Sequence, residues 1–241
     1  MTSVRSRDAG DDRLWIVLPV KGTGEAKQRL APVLAAEARA ALCRAMLEDV
    51  LTELGRVPGI EGVLVASNDP AARALEDRFP VTVVLEPEGS SGGLNGAVAL
   101  AVSAARARGA SSVMVLHGDL PLLASAEIER LRDYHRGAGK GPRVTLVPDD
   151  GGDGTNALVA TPPDAIPFAY GVGSFARHRQ LAADAGIAAG TFASASLALD
   201  IDTPADLERV AAHFRRHGEL AGRHTARLLA EEATASAVRA G

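Results

Sequence analysis

Short apolar runs bounded by turn residues recur along the chain: LWIVLPV at 14–20, GVLVAS at 62–67, VTVVLE at 81–86 and SVMVLH at 112–117. Segments of helical periodicity separate them, and this alternation predicts repeated βαβ units. Between the first two runs Leu42, Met46, Val50 and Leu54 recur at every fourth position, while Glu37, Arg39, Arg44 and Glu48 fall on other faces. That spacing predicts an amphipathic helix of about five turns, packed on the sheet. Further helices are expected over 95–108, from Ser125 as N-cap with Ile128 and Leu131 facing inward, and from Ser174 to Ala185.

In the second half the pattern changes. RVTLVPD at 143–149 and NALVATP at 156–162 are separated only by a Gly/Asp-rich stretch, which predicts a short antiparallel insertion in place of a crossover. SLALDID at 196–202 reads as a last apolar strand leading into a helix. There Thr203 serves as N-cap, Pro204 takes the first helical position, and Asp206 sits in the first turn, where a carboxylate favours the helix N-terminus. The expected organisation is a flexible leader over 1–13, one domain over 14–217, and an Ala/Arg/Glu-rich tail over 218–241 that is helical or disordered.

Composition sharpens this picture. Of 241 residues 46% are hydrophobic but only 3% aromatic, so the core must be built from Val, Leu, Ile and Ala. Such a core suits a single doubly wound α/β domain, its mostly parallel strands covered by helices on both faces. A formal charge of -4, without a dense Lys/Arg run, lacks the electrostatic footprint of a nucleic-acid-binding protein. The single Cys43 lies among Ala, Leu and Met and reads as an inert buried thiol. Residues 1–13 lack the apolar stretch of a signal peptide, and no run is long enough to span a membrane, so a cytoplasmic protein is expected.

Candidate chemistry gathers at the ends of the predicted strands. The loop from Pro19 to Leu30 contains glycines and three cations, Lys21, Lys27 and Arg29, and can wrap a triphosphate. It is not a Walker A loop, nor a full dinucleotide fingerprint, since Lys27 stands at the third glycine's place; a plain solvated loop fits it equally. Asp119, in His117-Gly118-Asp119-Leu120-Pro121-Leu122, follows a strand directly and falls where open α/β sheets bind ligands. Asp200 and Asp202 are two apart on the last predicted strand and share one face. Three carboxylates from two strand ends suit a Mg²⁺ ion shared with substrate phosphates. The competing readings are a turn cap for Asp119, an exposed charge for Asp200 and a helix cap for Asp202, and His117 reads as structural. Gly93 and Asn95, in the glycine-rich loop from Glu86 to Ala97, can grip base or ribose, or the loop is a linker. The segments 153–156 and 171–174 either form a small anion site or are ordinary turns and caps.

Taken in order, PVK-x4-AK-x-RL (Pro19 to Leu30), GLN-x-A (Gly93 to Ala97), HGDLPL (His117 to Leu122), GTNAL (Gly154 to Leu158), G-x-x-S (Gly171 to Ser174) and DIDTP-x-DL (Asp200 to Leu207) resemble the guanylyltransferases of coenzyme F420 biosynthesis. That family is related to molybdenum-cofactor guanylyltransferases and nucleotide-sugar synthases. The resemblance implies a nucleotide-diphospho-sugar transferase-like fold and transfer of GMP from GTP to phosphoenolpyruvate, with release of pyrophosphate. It makes Asp119, Asp200 and Asp202 ligands of Mg²⁺, and turns Lys21, Lys27 and Arg29 to the GTP phosphates. Thr155, Gly171 and Ser174 hold the phosphorylated acid. Phosphoenolpyruvate is the expected acceptor because the Ala/Arg/Gly-rich composition suggests a GC-rich, actinobacterial genome; 2-phospho-L-lactate and 3-phosphoglycerate are the alternatives. A downstream transferase of the same pathway is the expected recipient of a labile product. A sugar-phosphate nucleotidyltransferase and a non-catalytic nucleotide-binding module are the rival readings. The chain departs from the family pattern at the glycine-rich Gly22-Thr23-Gly24 and at Gly96.

Overall fold

The computed structural model describes residues 13–22, 27–217 and 222–240, with side chains of the last segment as far as 232. The expected leader, apart from Arg13, and residues 23–26 of the phosphate loop therefore lie outside the described residues, as do 218–221 at the start of the tail. Seven strands form one sheet: β1 Leu14–Val20, β2 Gly62–Ser67, β3 Val81–Leu85, β4 Ser112–Leu116, β5 Arg143–Pro148, β6 Thr155–Thr161 and β7 Ala188–Thr191. Their spatial order is β3-β2-β1-β4-β6-β5-β7. β1 runs parallel to β2 and β4, β2 to β3, and β5 to β7, while β6 runs antiparallel to both β4 and β5. The antiparallel insertion is thus a single strand. Chain order reverses between β1 and β4, which opens a crevice at their carboxyl ends.

The helices are α1 Ala36–Leu54, α2 Gly93–Ala107, α3 Ser125–Gly137, α4 Ser174–Asp184, α5 Ala195–Ala198, α6 Pro204–His217 and α7 Arg223–Ala240. Alternation along the strands feeds two apolar layers. Leu14, Ile16 and Leu18 of β1 face one side with Val50 and Leu54 of α1 and Ile128 and Leu131 of α3. Val17 faces the other side, with Val98, Ala101 and Ala105 of α2 and Ala182 of α4. Both faces of β1 are buried, as a parallel strand between helix layers requires. Fully burying each Leu, Ile or Val side chain stabilises the fold by about 1.5–3 kcal/mol before entropy is counted.

Two sequence expectations need correction. The run 196–202 is not a strand: Ala195–Ala198 forms one helical turn whose Leu197 N–H donates to Ser194 Oγ at 3.2 Å. Both sides of β6 are already occupied, and Leu199 and Ile201 turn away from the sheet into a third apolar cluster with Leu30, Leu42, Met46, Leu122 and Val210. Nor does Ser125 cap α3. It is the first helical residue, and its N–H donates to Glu53 Oε2 at 3.0 Å, a carboxylate reaching across from α1.

The expected start of α6 is present in full. Asp206 N–H donates to Thr203 Oγ1 at 3.3 Å, and Asp206 Oδ2 accepts from Thr203 N–H at 2.8 Å, a reciprocal capping box. In the tail, residues 223–240 are helical, and the buried Asp49 of α1 accepts from His224 N–H and Thr225 N–H at 2.9 Å each. No helix among the described residues is long and apolar enough to cross a membrane.

Candidate active site

Asp119 leaves the carboxyl end of β4, the strand that flanks the switch point on one side. Asp200 and Asp202 come from the extended link between α5 and α6, where Leu199 and Ile201 plug into the third apolar cluster and leave the two carboxylates on the opposite side. The shared face predicted for them therefore survives the loss of the predicted strand, because an extended chain alternates whether or not it pairs. The link is held at both ends. Asp202 N–H donates to the capping Asp206 at 3.2 Å, and Asn156 Nδ2 donates to Leu197 O, Ala198 O and Asp200 Oδ1 at 3.1, 3.0 and 3.4 Å. One oxygen from each of Asp119, Asp200 and Asp202 lies within 4.8 Å of the others.

Lys27 stands inside this cluster. It adopts the left-handed conformation, φ 54° and ψ 44°, and its Nζ donates to Asp119 Oδ2 at 2.5 Å and Asp202 Oδ1 at 2.6 Å. Burial alone would lower the pKa of this ammonium, but the Asp119 and Asp202 carboxylates outweigh burial and hold it above the ordinary lysine range. Burial likewise opposes the Asp119 charge, and Lys27, with help from His117, keeps that carboxyl below its usual value. Asp200 has no such partner: burial, then Asp119 and Asp202, push it up to about 6. The second oxygen of Asp119, Oδ1, is buried without a hydrogen-bond partner among the described residues.

A cavity of about 500 Å³ opens over Asp119 and Asp202, and Lys21, Lys27, Arg44 and His117 also line it. A second cavity of about 330 Å³ adjoins it, sharing Lys21 and Arg44 and reaching Ser67, Asp69 and Arg78 beyond the end of β2. Arg29 is exposed on the 3-10 turn Gln28–Leu30 and reaches neither. Arg44 was not singled out from the sequence. Helical periodicity placed it off the buried stripe of α1, and that face proves to border the cavity. Cys43 is half-buried and lines the larger cavity, where burial raises its thiol pKa. His117 lies there too, its pKa lowered by burial and its Nε2 without a hydrogen-bond partner among the described residues.

Thr155, Gly171 and Ser174 come together in a cluster of their own and do not line the cavity. Thr155 and Ser174 are 1% and 2% exposed, and Ser174 Oγ donates to Thr155 Oγ1 at 3.3 Å. Gly171, at φ 118°, and Gly173, at φ 71°, hold backbone conformations that suit glycine, and Ser174 N–H donates to Gly171 O at 3.0 Å. Asp153 braces this loop by accepting from Gly173 N–H at 3.0 Å. Thr155 and Asn156 are successive residues of β6 and point to opposite faces, one to Ser174 and the other to Asp200. A single strand start thus serves both clusters.

Gly93 opens α2 with φ 55°. Asn95, two residues on, has both ends of its amide tied to Tyr170: Oδ1 accepts from Tyr170 N–H at 2.7 Å and Nδ2 donates to Tyr170 O at 3.3 Å. It joins the start of α2 to the loop that carries Gly171. His178, one turn beyond Ser174 and 0% exposed, also belongs to this cluster, with Nδ1 at 3.1 Å from Thr155 Oγ1. The only signal for it in the sequence was its spacing of four from Ser174 on a predicted helix.

Known proteins resemble this chain over most of its length. A Conexibacter woesei protein named phosphoenolpyruvate guanylyltransferase is 43% identical over 194 residues, covering 80% of this chain and 85% of its own. The protein of that name from Sphaerobacter thermophilus is 38% identical over 197 residues, 82% of this chain and 92% of its own. Among solved structures, a nucleotide-diphospho-sugar transferase-like protein of Desulfovibrio desulfuricans G20 shares the fold with TM-score 0.71 at 15% identity, covering 92% of this chain and 96% of that one. A Leptospira borgpetersenii cytidylyltransferase does so with TM-score 0.55 at 15% identity, covering 92% and 95%. The model of the family described as "Guanylyl transferase CofC like" matches residues 14–226, and the chain belongs to that family.

Proposed function

We propose that this protein is a Mg²⁺-dependent phosphoenolpyruvate guanylyltransferase of coenzyme F420 biosynthesis, moving GMP from GTP to phosphoenolpyruvate and releasing pyrophosphate. The observation that carries the reading is the convergence of Asp119, Asp200 and Asp202 at the switch-point crevice, in a chain of the guanylyl transferase family. The relatives' names support the choice of GTP and phosphoenolpyruvate.

The residues present fit a magnesium ion. All three offer hard oxygen ligands, and Asp119 Oδ1, buried and without a hydrogen-bond partner among the described residues, is a ligand atom a cation would satisfy. When bound, Mg²⁺ supplies charge neutralisation and orientation of the phosphate oxygens. Asp119, Asp200 and Asp202 would hold it.

A phosphate oxygen of the acceptor forms a bond to the α-phosphorus while the bond to the bridging oxygen breaks, and that oxygen leaves with the pyrophosphate. A phosphate monoester with its second pKa near ~6 is already ionised at neutral pH, so no general base is needed. The protein's task is positioning and charge stabilisation. Lys21 and Lys27 face the triphosphate, and Arg44, on the cavity wall, adds a third cation, whereas Arg29 reaches neither cavity and has no such role. Lys27 eases the repulsion among the carboxylates by sharing its one positive charge between Asp119 and Asp202. Gly93 shapes the loop that takes the base, and Asn95 acts from behind by fixing that loop to Tyr170. Thr155, Gly171 and Ser174 hold the phosphate or carboxylate of the acceptor. The chemistry suits the cytoplasm, where GTP is available, and a downstream transferase would consume the labile diester-anhydride product.

The test is pyrophosphate release by the purified protein with GTP and Mg²⁺, comparing phosphoenolpyruvate, 2-phospho-L-lactate and 3-phosphoglycerate. Release with phosphoenolpyruvate in preference to the others, abolished by EDTA, is expected. Release with a sugar phosphate instead, or none with any acid, would sink the assignment.

A further inference from the structure

His178 lies beneath the candidate acceptor loop, fully buried on α4. Its Nε2 accepts the backbone N–H of Ala169 at 3.0 Å, and its Nδ1 is 3.1 Å from Thr155 Oγ1. Burial first, then Arg177 and His117, lower its pKa to about 4, so the ring is neutral at physiological pH and carries a single proton. A nitrogen that receives a hydrogen bond cannot hold that proton. It therefore sits on Nδ1, and Nδ1–H donates to Thr155. Ser174 Oγ–H donates to the same oxygen at 3.3 Å.

A threonine hydroxyl has two acceptor sites and one proton. Here both acceptor sites are filled by His178 and Ser174, and the proton of Thr155 is left to donate elsewhere. With the opposite tautomer the result would reverse: Thr155 would give its proton to Nδ1 and turn a lone pair outward, toward which no anion would come. The same ring fixes the entry to the loop through Ala169, whose carbonyl accepts from Arg177 Nε and Nη2 at 3.1 and 2.9 Å, and it packs edge-on against Tyr170 with centroids 4.9 Å apart.

We propose that His178 is a positioning residue for the acceptor: as the Nδ1–H tautomer it makes the Thr155 hydroxyl an obligate donor to an anionic oxygen of the phosphorylated acid. This rests on the reading of Thr155, Gly171 and Ser174 as the acceptor site. It assigns specificity to a proton held in place by the backbone of Ala169. It also predicts that His178 acts on the acid and not on the nucleotide, since its contacts among the described residues are with Thr155, Ala169 and Tyr170.

The experiment uses the full chain with GTP, Mg²⁺ and phosphoenolpyruvate. His178→Asn keeps an N–H near the Nδ1 position, and His178→Gln keeps a polar atom near Nε2 only. The Asn variant should hold KM for phosphoenolpyruvate within about threefold of wild type, and the Gln variant should raise it about tenfold or more, the effect of one hydrogen bond to a charged group. KM for GTP should stay within about twofold in both. Equal effects of the two variants, the reverse order, or an equal rise in KM for GTP would show a merely structural histidine and overturn the proposal. The wild-type protein gives a second answer independent of how the variants fold. Nitrogen-15 NMR of its histidines should show the Nδ1–H tautomer for His178, and the Nε2–H tautomer would overturn the assignment. Should wild type release no pyrophosphate with any acid, the proposed function falls by itself. Titration of the GTP-free protein with phosphoenolpyruvate then decides the present point: a shift of the His178 resonance supports it, and an unmoved resonance refutes it.

Discussion

At the scale of single residues, the site is a conflict of like charges held in check by one lysine. Asp119 and Asp202 share the Lys27 ammonium in direct ion pairs, whereas the side chain that reaches Asp200 is the neutral Asn156 amide, at 3.4 Å. Asp119→Ala should lower turnover by about three orders of magnitude, roughly 4 kcal/mol of barrier, with the fold retained. Pyrophosphate release alongside circular dichroism would check it, and near wild-type activity would remove Asp119 from the reaction. Asp200 predicts the opposite trend in stability. Its folded pKa, about 6, is above the unfolded carboxyl value, so its contribution is fully present at low pH and is lost as pH rises through 6. The metal-free protein should accordingly gain thermal stability between pH 7 and 5. Asp200→Asn should raise Tm at pH 7 by a few degrees, flatten that pH dependence and abolish activity. A Tm that falls on this substitution would mean that the carboxylate is not strained in the free protein.

At the scale of elements, what could be read from the sequence follows from where each apolar residue goes. The stripe of α1 was legible because both of its apolar destinations lie on one side: Val50 and Leu54 reach the sheet layer, and Leu42 and Met46 reach the third cluster. β7 was not legible, because Ala188–Thr191 is an edge strand of small, mostly exposed residues that pairs only with β5. Leu199 and Ile201 alternate with Asp200 and Asp202 as they would in a strand, and only the occupied neighbours of β6 exclude them from the sheet. The Asp200–Asp202 pair was legible because alternation alone sets its shared face, and Asp119 because it closely follows the carboxyl end of β4. Asn156, Arg44 and His178 were not, since each acts through a contact between segments far apart in the chain. The capping box of α6 belongs to both groups: Thr203 and Asp206 are a local signature, but the bond from Asp202 N–H to Asp206 ties that cap to the site. Thr203→Ala should cost about 1 kcal/mol, a Tm loss of roughly 2–4 °C. It should also raise the Mg²⁺ concentration needed for half-maximal activity, because Asp202 loses its brace. A Mg²⁺ requirement identical to wild type would show that the cap serves α6 alone.

At the scale of the molecule, the sheet supplies the crevice and the C-terminal helix supplies its tension. The third apolar cluster takes Leu122 from the segment after Asp119, Ile201 from between the two later carboxylates, and Leu42 and Met46 from α1, and Leu228 and Leu229 of α7 pack against it. Asp49 clamps the start of α7 with both carboxylate oxygens. Removing α7 would therefore expose the apolar residues that position Asp119 and Asp202 from behind, although none of its described side chains lines the cavity over the carboxylates. A chain truncated after Gly222 should melt several degrees lower. It should also lose kcat/KM for GTP and for the acceptor together, because the carboxylates serve both. This separates α7 from His178, which should affect the acceptor alone. Asp49→Ala, which removes the clamp but leaves the helix, should move both parameters in the same direction by a smaller amount, about 1 kcal/mol for the lost cap. If truncation lowers Tm without changing either KM or kcat at a temperature where both proteins are folded, the carboxylates are positioned by the sheet and α6 alone, and the cluster's role is confined to stability.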